Sequence, residues 1–320
     1  MELQMRPRTL WLSLLPALDA ILNARTLTEA AERANLTQPA LSAALRKARA
    51  HFNDEIVVFN SNRATLTELG MALQPRVKAA LVTARDALDF ELAFDPETSE
   101  RTVRIMCNSY IEYAFVPKLL TRLYADSPNL SVEIVPFRPL PHDSNLLEDV
   151  DIIIAAKSLA TPAYSHAPLF RDRLTCMAWN ENLTVGDSIT IEQWLEMRHA
   201  TAVASHSYEN APSLIRTLND NRRHALRAHS ATTMPHMIVG TDLVITSMTS
   251  YCELFTHYLP LRLIPIIGDA RYEDELNLEV AVIWKPYRGV EPYIKWLVDT
   301  CQTVAHQFRP VPNVIERVTV

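Results

Sequence analysis

The stretch TLTEAAERANLTQPALSAALRKAR, residues 26–49, reads as two short helices joined by a tight turn. Thr26 and Glu29 have capping-box spacing: the hydroxyl takes one helix-end donor while the carboxylate reaches back to another. Ala30, Ala31 and Ala34 keep the first helix slim, so that a second helix can cross it closely. Asn35 falls at the turn, where it tolerates a left-handed backbone better than most non-glycine residues. Thr37 suits the N-cap of the next helix, and Pro39 falls in that helix's first turn, where its missing N–H costs little. Leu41 and Leu45, four apart, anchor this second helix inward. Gln38, Ser42, Arg46 and Arg49 are left to face outward.

The charge of this stretch separates it from the rest of the chain. The 320 residues carry a formal net charge of -6, yet no Asp or Glu occurs from Arg33 to Asn53, where Arg33, Arg46, Lys47, Arg49 and His51 all fall. Residues 1–66 sum to +2 and the remainder to -8. A surface that approaches phosphates excludes carboxylates, because each would face a polyanion. Gln and Arg make paired hydrogen bonds to base edges, and Ser bonds bases or phosphates. The plainer alternative is a solvated helix pair in an ordinary helical domain.

What surrounds the pair favours nucleic acid. Leu12, Leu14, Leu15, Leu18 and Ile21–Leu22 predict a supporting helix. EIVVFNSNRATLTELG follows, with β-rich Ile56–Phe59, a polar turn at Asn60–Asn62 and Arg63 beyond. This is the pattern of a hairpin wing whose arginine meets a phosphate or the minor groove. Thr67 caps a helix predicted to run to about residue 92. Leu69, Leu73, Val77, Leu81, Ala84 and Leu88 recur at spacings of three, four and seven along it, a coiled-coil-like seam suited to a second copy. Pro75 interrupts it and is expected to bend it.

From residue 95 the texture changes. FDPETSERT is a polar junction without apolar periodicity. Beyond it, strand and helix patterns alternate: TVRIMC, LSVEIVPF, VDIIIAA, LTCMAW, ATAVAS, HALRAHS, DLVITS, LRLIPI and LNLEVAVIW, interleaved with helices and closed by helical EPYIKWLVDTCQTVAHQF. That alternation is α/β. Cys107–Asn108–Ser109–Tyr110 lies where the first strand ends and a helix begins, a place where α/β sheets gather ligands. Asn108 or Ser109 serves as a ligand contact, simply as the helix cap, or as both.

Several classes are excluded. The five glycines, Gly70, Gly186, Gly240, Gly268 and Gly289, are too scattered for a glycine-rich phosphate cradle. GxSxG and HExxH are absent, which leaves a hydrolase or a zinc site without its motif, and no cofactor is expected. Cys107, Cys176, Cys252 and Cys301 form no CxxC pair and read as reduced, buried thiols, with a redox sensor the lesser alternative. No apolar run reaches 18 residues, so no membrane partner is expected and the chain reads as cytoplasmic. Asp19 and the spacing of the leucines around it read the N-terminal apolar stretch as an amphipathic helix, not a secretory signal.

Taken together, ALDAILNARTLTEAAERANLTQPALSAALRKAR, the wing and LTELGMAL resemble the LysR-type bacterial transcriptional regulators. TQPALSAAL, FDPETSERTVRI and EVAVIWKPYRGVEPYIKWL look most like the NodD-like branch, whose members answer to flavonoids or to chlorinated or nitrated aromatics. The chain departs from the common family pattern at Phe59, Ala43 and Ala48, and lacks a Gly within EDVD. The resemblance implies an α plus α/β architecture. Residues 1–66 would form a winged helix-turn-helix and 67–94 a dimerising linker helix. Residues 95–320 would form a periplasmic-binding-protein-like effector domain of two hinged subdomains, about 99–165 with 272–310 and about 166–271.

It further implies an activator that binds double-stranded promoter DNA at an interrupted palindrome, contacts RNA polymerase and assembles as a homodimer or homotetramer. Its inducer would be a small aromatic. Gln38, Pro39 and Ser42 would approach base edges, with Thr37 at the helix start. Arg33, Arg46, Lys47, Arg49 and Arg63 would mostly meet phosphates. In the effector domain, Asn108, Ser109 and Tyr110 would face His206, Thr246 and Ser247 across a cleft, with Phe137 and Arg138 closing its mouth. Trp284 reads as core ahead of cleft wall, and His199 as structural. The competing class is a small-molecule-binding protein whose N-terminal helices serve only in protein–protein assembly.

Overall fold

The computed structural model describes residues 14–60, 63–88, 93–138, 140, 150–202, 222–268 and 276–308. The chain divides into two compact units, with the boundary between residues 90 and 91.

The first unit contains α1 (Leu15–Asn23), α2 (Leu27–Arg33), α3 (Gln38–Phe52), the antiparallel hairpin β1 (Val57–Asn60) and β2 (Arg63–Leu66), and α4 (Glu68–Leu88). Its local chemistry follows the sequence closely. Thr26 accepts from the Glu29 N–H at 3.1 Å, and the Glu29 carboxylate reaches back one residue further than expected, to the Arg25 N–H at 2.8 Å. Asn35 is left-handed at φ 51°, and Thr37 caps α3 by accepting from the Ala40 N–H. Leu41 and Leu45 pack with Ile21, Ala30 and Val57, so three helices share one core. Ala48, where a larger residue is common, is buried with Leu18, Leu22, Ile56 and Val77.

Thr67 caps α4 through the Gly70 N–H at 3.0 Å. Part of the seam on this helix is covered within the unit itself. Leu73, Val77 and Leu81 pack against α1 residues within the same unit, and Gln74 donates to the Leu22 carbonyl and the Asn23 side chain. A leucine stripe buries itself wherever apolar surface is nearest, and here α1 supplies it. Pro75 lies inside the helix.

The second unit is α/β. Its first half comprises β3 (Thr102–Cys107), α5 (Ser109–Ala114), α6 (Val116–Asp126), β4 (Ser131–Pro136) and β5 (Ile152–Ala156). β3 runs parallel to both β4 and β5. The IIIAA run of β5 is buried almost throughout, as a strand covered on both faces must be. Next comes β6 (Ser165–Trp179), then β7 (Ile189–Thr190), α7 (Ile191–Glu196), β8 (Arg198–Ala202), β9 (Arg223–Ala228), α8 (Met234–Met237), β10 (Val244–Met248), α9 (Thr249–Thr256) and β11 (Leu261–Ile267). β12 (Asn277–Trp284) and α10 (Pro292–Gln307) return to the first half.

β6 joins the two halves. Ser165–Arg173 pairs with β12, whereas Leu174–Ala178 pairs with β10 and Thr175–Trp179 with β11. The pattern of LTCMAW predicts a strand starting at Leu174 with the crossing near 165. Instead one 15-residue strand changes partners between Arg173 and Leu174. Its first part alternates exposed and covered residues, so it lacks the apolar run that marks the second part. Each half has its own core, one around Ile105, Phe115, Leu119 and Leu297 and one around Met177, Ile245, Tyr251 and Phe255.

Candidate functional site

The two units present two different surfaces. In the first, α3 buries Leu41, Ala44, Leu45 and Ala48 and leaves Thr37, Gln38, Pro39, Arg46 and Lys47 exposed, with Ser42 half-covered beside them. The buried residues recur at three and four, which fixes the polar face by default. Arg33 is exposed on α2, where it donates to the Asn23 carbonyl at 2.9 Å and lies 3.7 Å from Glu29. Arg49 is turned inward to the start of the wing: its guanidinium donates to the carbonyls of Glu55 and Val57 at 2.9 and 2.7 Å. Arg63 opens β2, and its side chain lies outside what the structure describes.

In the second unit, a cavity of about 420 Å³ lies between the two halves. Asn108, Ser109, Tyr110, Phe137, Thr246 and Ser247 all line it, brought together from three loops and strand ends. Arg138 is exposed and not among the lining residues, and His206 lies outside the described residues. Asn108 also caps α5, its side-chain oxygen accepting from the Ile111 N–H at 3.1 Å. Thr246 is held from behind, its hydroxyl accepting from the Trp194 indole at 2.8 Å and lying 3.3 Å from the Cys176 sulfur.

Sequence reasoning missed much of the lining, notably Arg222, His229, Tyr251, Met234 and Leu278. Arg222 is buried and places a cation at the wall, beside the Trp194 ring. Tyr251 belongs to α9, whose YCELF run is too short to announce a helix by period; its hydroxyl donates to the Ala231 carbonyl at 2.8 Å.

Beneath the cavity lies a buried carboxylate. Asp172 sits on β6 next to the change of strand partner. It accepts the Tyr110 hydroxyl from α5 at 2.9 Å, the Ser250 hydroxyl from α9 and the Arg173 N–H at 2.7 Å. Burial pushes this carboxyl upward while those hydrogen bonds pull it down, and burial wins. Burial, reinforced by Asp172, also raises the Tyr110 phenol, so Tyr110 stays a protonated donor.

The four cysteines are free and buried. Burial pushes Cys107, Cys176 and Cys301 each to about 12 and Cys252 well above its usual value, so the thiolate needed for redox chemistry is scarce near neutrality. His199 is fully buried, with its Nε2 on the Trp194 carbonyl at 2.7 Å, and burial depresses it to about 4. Trp284 packs on the core of the first half. Among the described residues no group of His, Cys, Asp and Glu has metal-site geometry, and no helix is long and apolar enough to cross a membrane.

A three-helix fold carrying an acid-free recognition face and a hairpin, joined in one chain to a two-part α/β ligand cavity, defines a ligand-responsive DNA-binding regulator. The family comparisons agree. The helix-turn-helix model of the bacterial regulatory lysR family matches residues 12–71, and the LysR substrate binding domain matches residues 96–305. The chain belongs to the LysR family of transcriptional regulators, with DNA and further copies of itself as partners.

Within the family it groups with the NodD-like branch. Nodulation protein D 1 of Mesorhizobium japonicum is 30% identical, over 92% of this chain and 92% of its own length. Nodulation protein D 1 of Sinorhizobium fredii is also 30% identical, over 81% of each. Among solved structures, a full-length OxyR variant from Pseudomonas aeruginosa superposes with a TM-score of 0.67 at 19% identity, covering 93% of this chain and 98% of that one. CbnR, a LysR family transcriptional regulator, gives 0.57 at 13% identity, covering 92% and 98%. At such identities these two establish a common fold.

Proposed function

We propose that this regulator is an activator switched by a small aromatic inducer held in the cavity of the second unit. The observation that carries the proposal is the composition of the walls. Tyr110, Tyr251, Met234 and Leu278 supply apolar surface, while Ser109, Ser247, Arg222, His229 and the Glu112 carboxylate are among the polar groups. That mixture suits a planar ring bearing hydroxyl, halogen, nitro or similar substituents. Arg222 favours a ring with some negative charge, such as a phenolate. Because the cavity is walled by both halves of the unit, the inducer has different contacts in open and closed arrangements, which any shift in their populations requires.

On the first unit, Gln38, Pro39 and Ser42 approach base edges in the major groove, with Thr37 at the helix start. Arg46, Lys47, Arg33 and Arg63 meet phosphates. A two-fold dimer, itself half of a tetramer, then requires an interrupted palindrome with half-sites about a helical turn or a multiple apart. Bending of that site and contact with RNA polymerase carry the signal.

A melting series with phenols, hydroquinones, chlorinated and nitrated aromatics and flavonoids tests the inducer. A ligand that binds only the folded state must raise Tm. Arg222→Leu is expected to abolish the rise for phenolates and spare it for neutral rings; no rise with any aromatic would reject the reading. Salt-dependent binding to duplex DNA separates the regulator from an assembly module, since neutralising phosphates makes affinity fall steeply with salt.

A further inference from the structure

The joint between α3 and the hairpin is built around one residue in a costly conformation. Ile56 has φ +61°, a left-handed backbone that a β-branched side chain rarely adopts and that persists only when its surroundings over-determine it. The Asp54 carboxylate accepts from the Ile56 N–H at 2.6 Å and from the Thr67 hydroxyl at 2.7 Å. The Ile56 carbonyl accepts from the Thr67 N–H at 3.0 Å. Gly70 faces that carbonyl so closely that a Cβ there would overlap its oxygen. These contacts tie the start of the hairpin to the start of α4.

Arg49 supplies the tie to α3. Its Nε donates to the Glu55 carbonyl at 2.9 Å and its Nη2 to the Val57 carbonyl at 2.7 Å, and Nη2 lies 3.0 Å from the Glu55 carboxylate. The two carbonyls flank Ile56 on either side. A planar fork with fixed donor directions can hold both at once, whereas the single ammonium of a lysine cannot reproduce that geometry. The same guanidinium is poorly placed as a phosphate ligand, because its Nε and Nη2 are committed to its own backbone and a carboxylate stands beside it.

We infer that Arg49 is a positioning residue: it sets the angle of the hairpin wing against the recognition helix and does not contact phosphate. This rests on the proposed reading that α3 enters the major groove and the wing meets the flanking backbone or minor groove.

The test uses full-length Arg49→Ala, Arg49→Lys and Glu55→Gln with a duplex selected from random sequence by the unsubstituted protein. Guanine methylation reports on the major groove and hydroxyl-radical cleavage on the flanks. The expected result is that Arg49→Ala and Arg49→Lys fail alike. Both lose flanking protection, keep guanine protection and bind about tenfold more weakly. Glu55→Gln, which leaves both carbonyl bonds in place, stays within about twofold.

Full recovery of affinity and flanking protection in Arg49→Lys would overturn the inference, since a phosphate contact needs only the charge. So would a fall of about one in the salt slope for Arg49→Ala with both protections intact, or tighter binding by Glu55→Gln. If the unsubstituted protein binds duplex but never protects the flanks, the wing premise is wrong and the inference goes with it. If it binds no duplex at all, the DNA reading itself has failed, a result distinct from any difference among the variants.

Discussion

The face of α3 and the cavity of the second unit are both candidate recognition surfaces, yet they are assembled in opposite ways. The residues from Thr37 to Lys47 come from one cap and one helix, and their exposure follows from four buried residues on the same helix. The cavity draws on residues as far apart as Cys107 and Leu278. Its walls depend on β6 changing partners, on α9 and on the Asp172 junction. A local surface tolerates change in the rest of the chain; a non-local one is exposed to every element that frames it.

That contrast can be tested from its foundations upward. Leu41→Ala empties a fully buried position in the three-helix core and is expected to cost about 2–5 kcal/mol. Urea unfolding should show the first unit's transition shifted while the second unit's stays in place, with inducer binding preserved. Loss of both transitions together would mean that the units are not independent.

The second unit should respond to acid through His199. An unfolded histidine titrates near 6.5, whereas this one is held to about 4, so its contribution is complete above pH 6.5 and is lost as pH falls toward 4. The unfolded chain takes up a proton that the folded chain refuses. Between pH 7.5 and 5 the expected loss is about 2 kcal/mol, and His199→Gln should flatten it in urea titrations at the two pH values.

Gln38→Ala should remove about 1–3 kcal/mol of discrimination between the selected duplex and its scrambled form, with little loss on random DNA. Equal loss on both would deny it a base-reading role. Arg46→Ala should produce the smallest effect, a uniform weakening and a salt slope shallower by about one, read from gel shifts across salt concentrations.

Much of the first unit was legible because its instructions are short-range. Thr26, Asn35, Thr37 and Thr67 act within three or four residues, and each occupies the place its spacing predicts. Several strands of the second unit were also readable, and TVRIMC is β3 residue for residue, but the first nine residues of β6 and the short β7 carried no such signal. Partners were harder. The stripe Leu73–Val77–Leu81 announces that something must cover it, and a heptad cannot say whether that is α1 or a second chain. Arg49 sits at an outward position by period, and nothing in its neighbourhood reveals that two carbonyls await it. Asp172 and Tyr110 lie 62 residues apart, and Arg222 gives no periodic signal of lining a cavity.

By itself the sequence determined where most of the helices and strands begin, which face of α3 is polar and acid-free, and which family the chain resembles. Those properties arise from dihedral preference, capping and side-chain period, all of which operate over a few residues. The tertiary structure alone decided that Arg49 turns to the wing, that β6 serves both halves of the second unit, and that one buried carboxylate joins α5 to α9 beneath the cavity. Such pairings are selected when distant groups lose their water together, and no local pattern records which groups those will be.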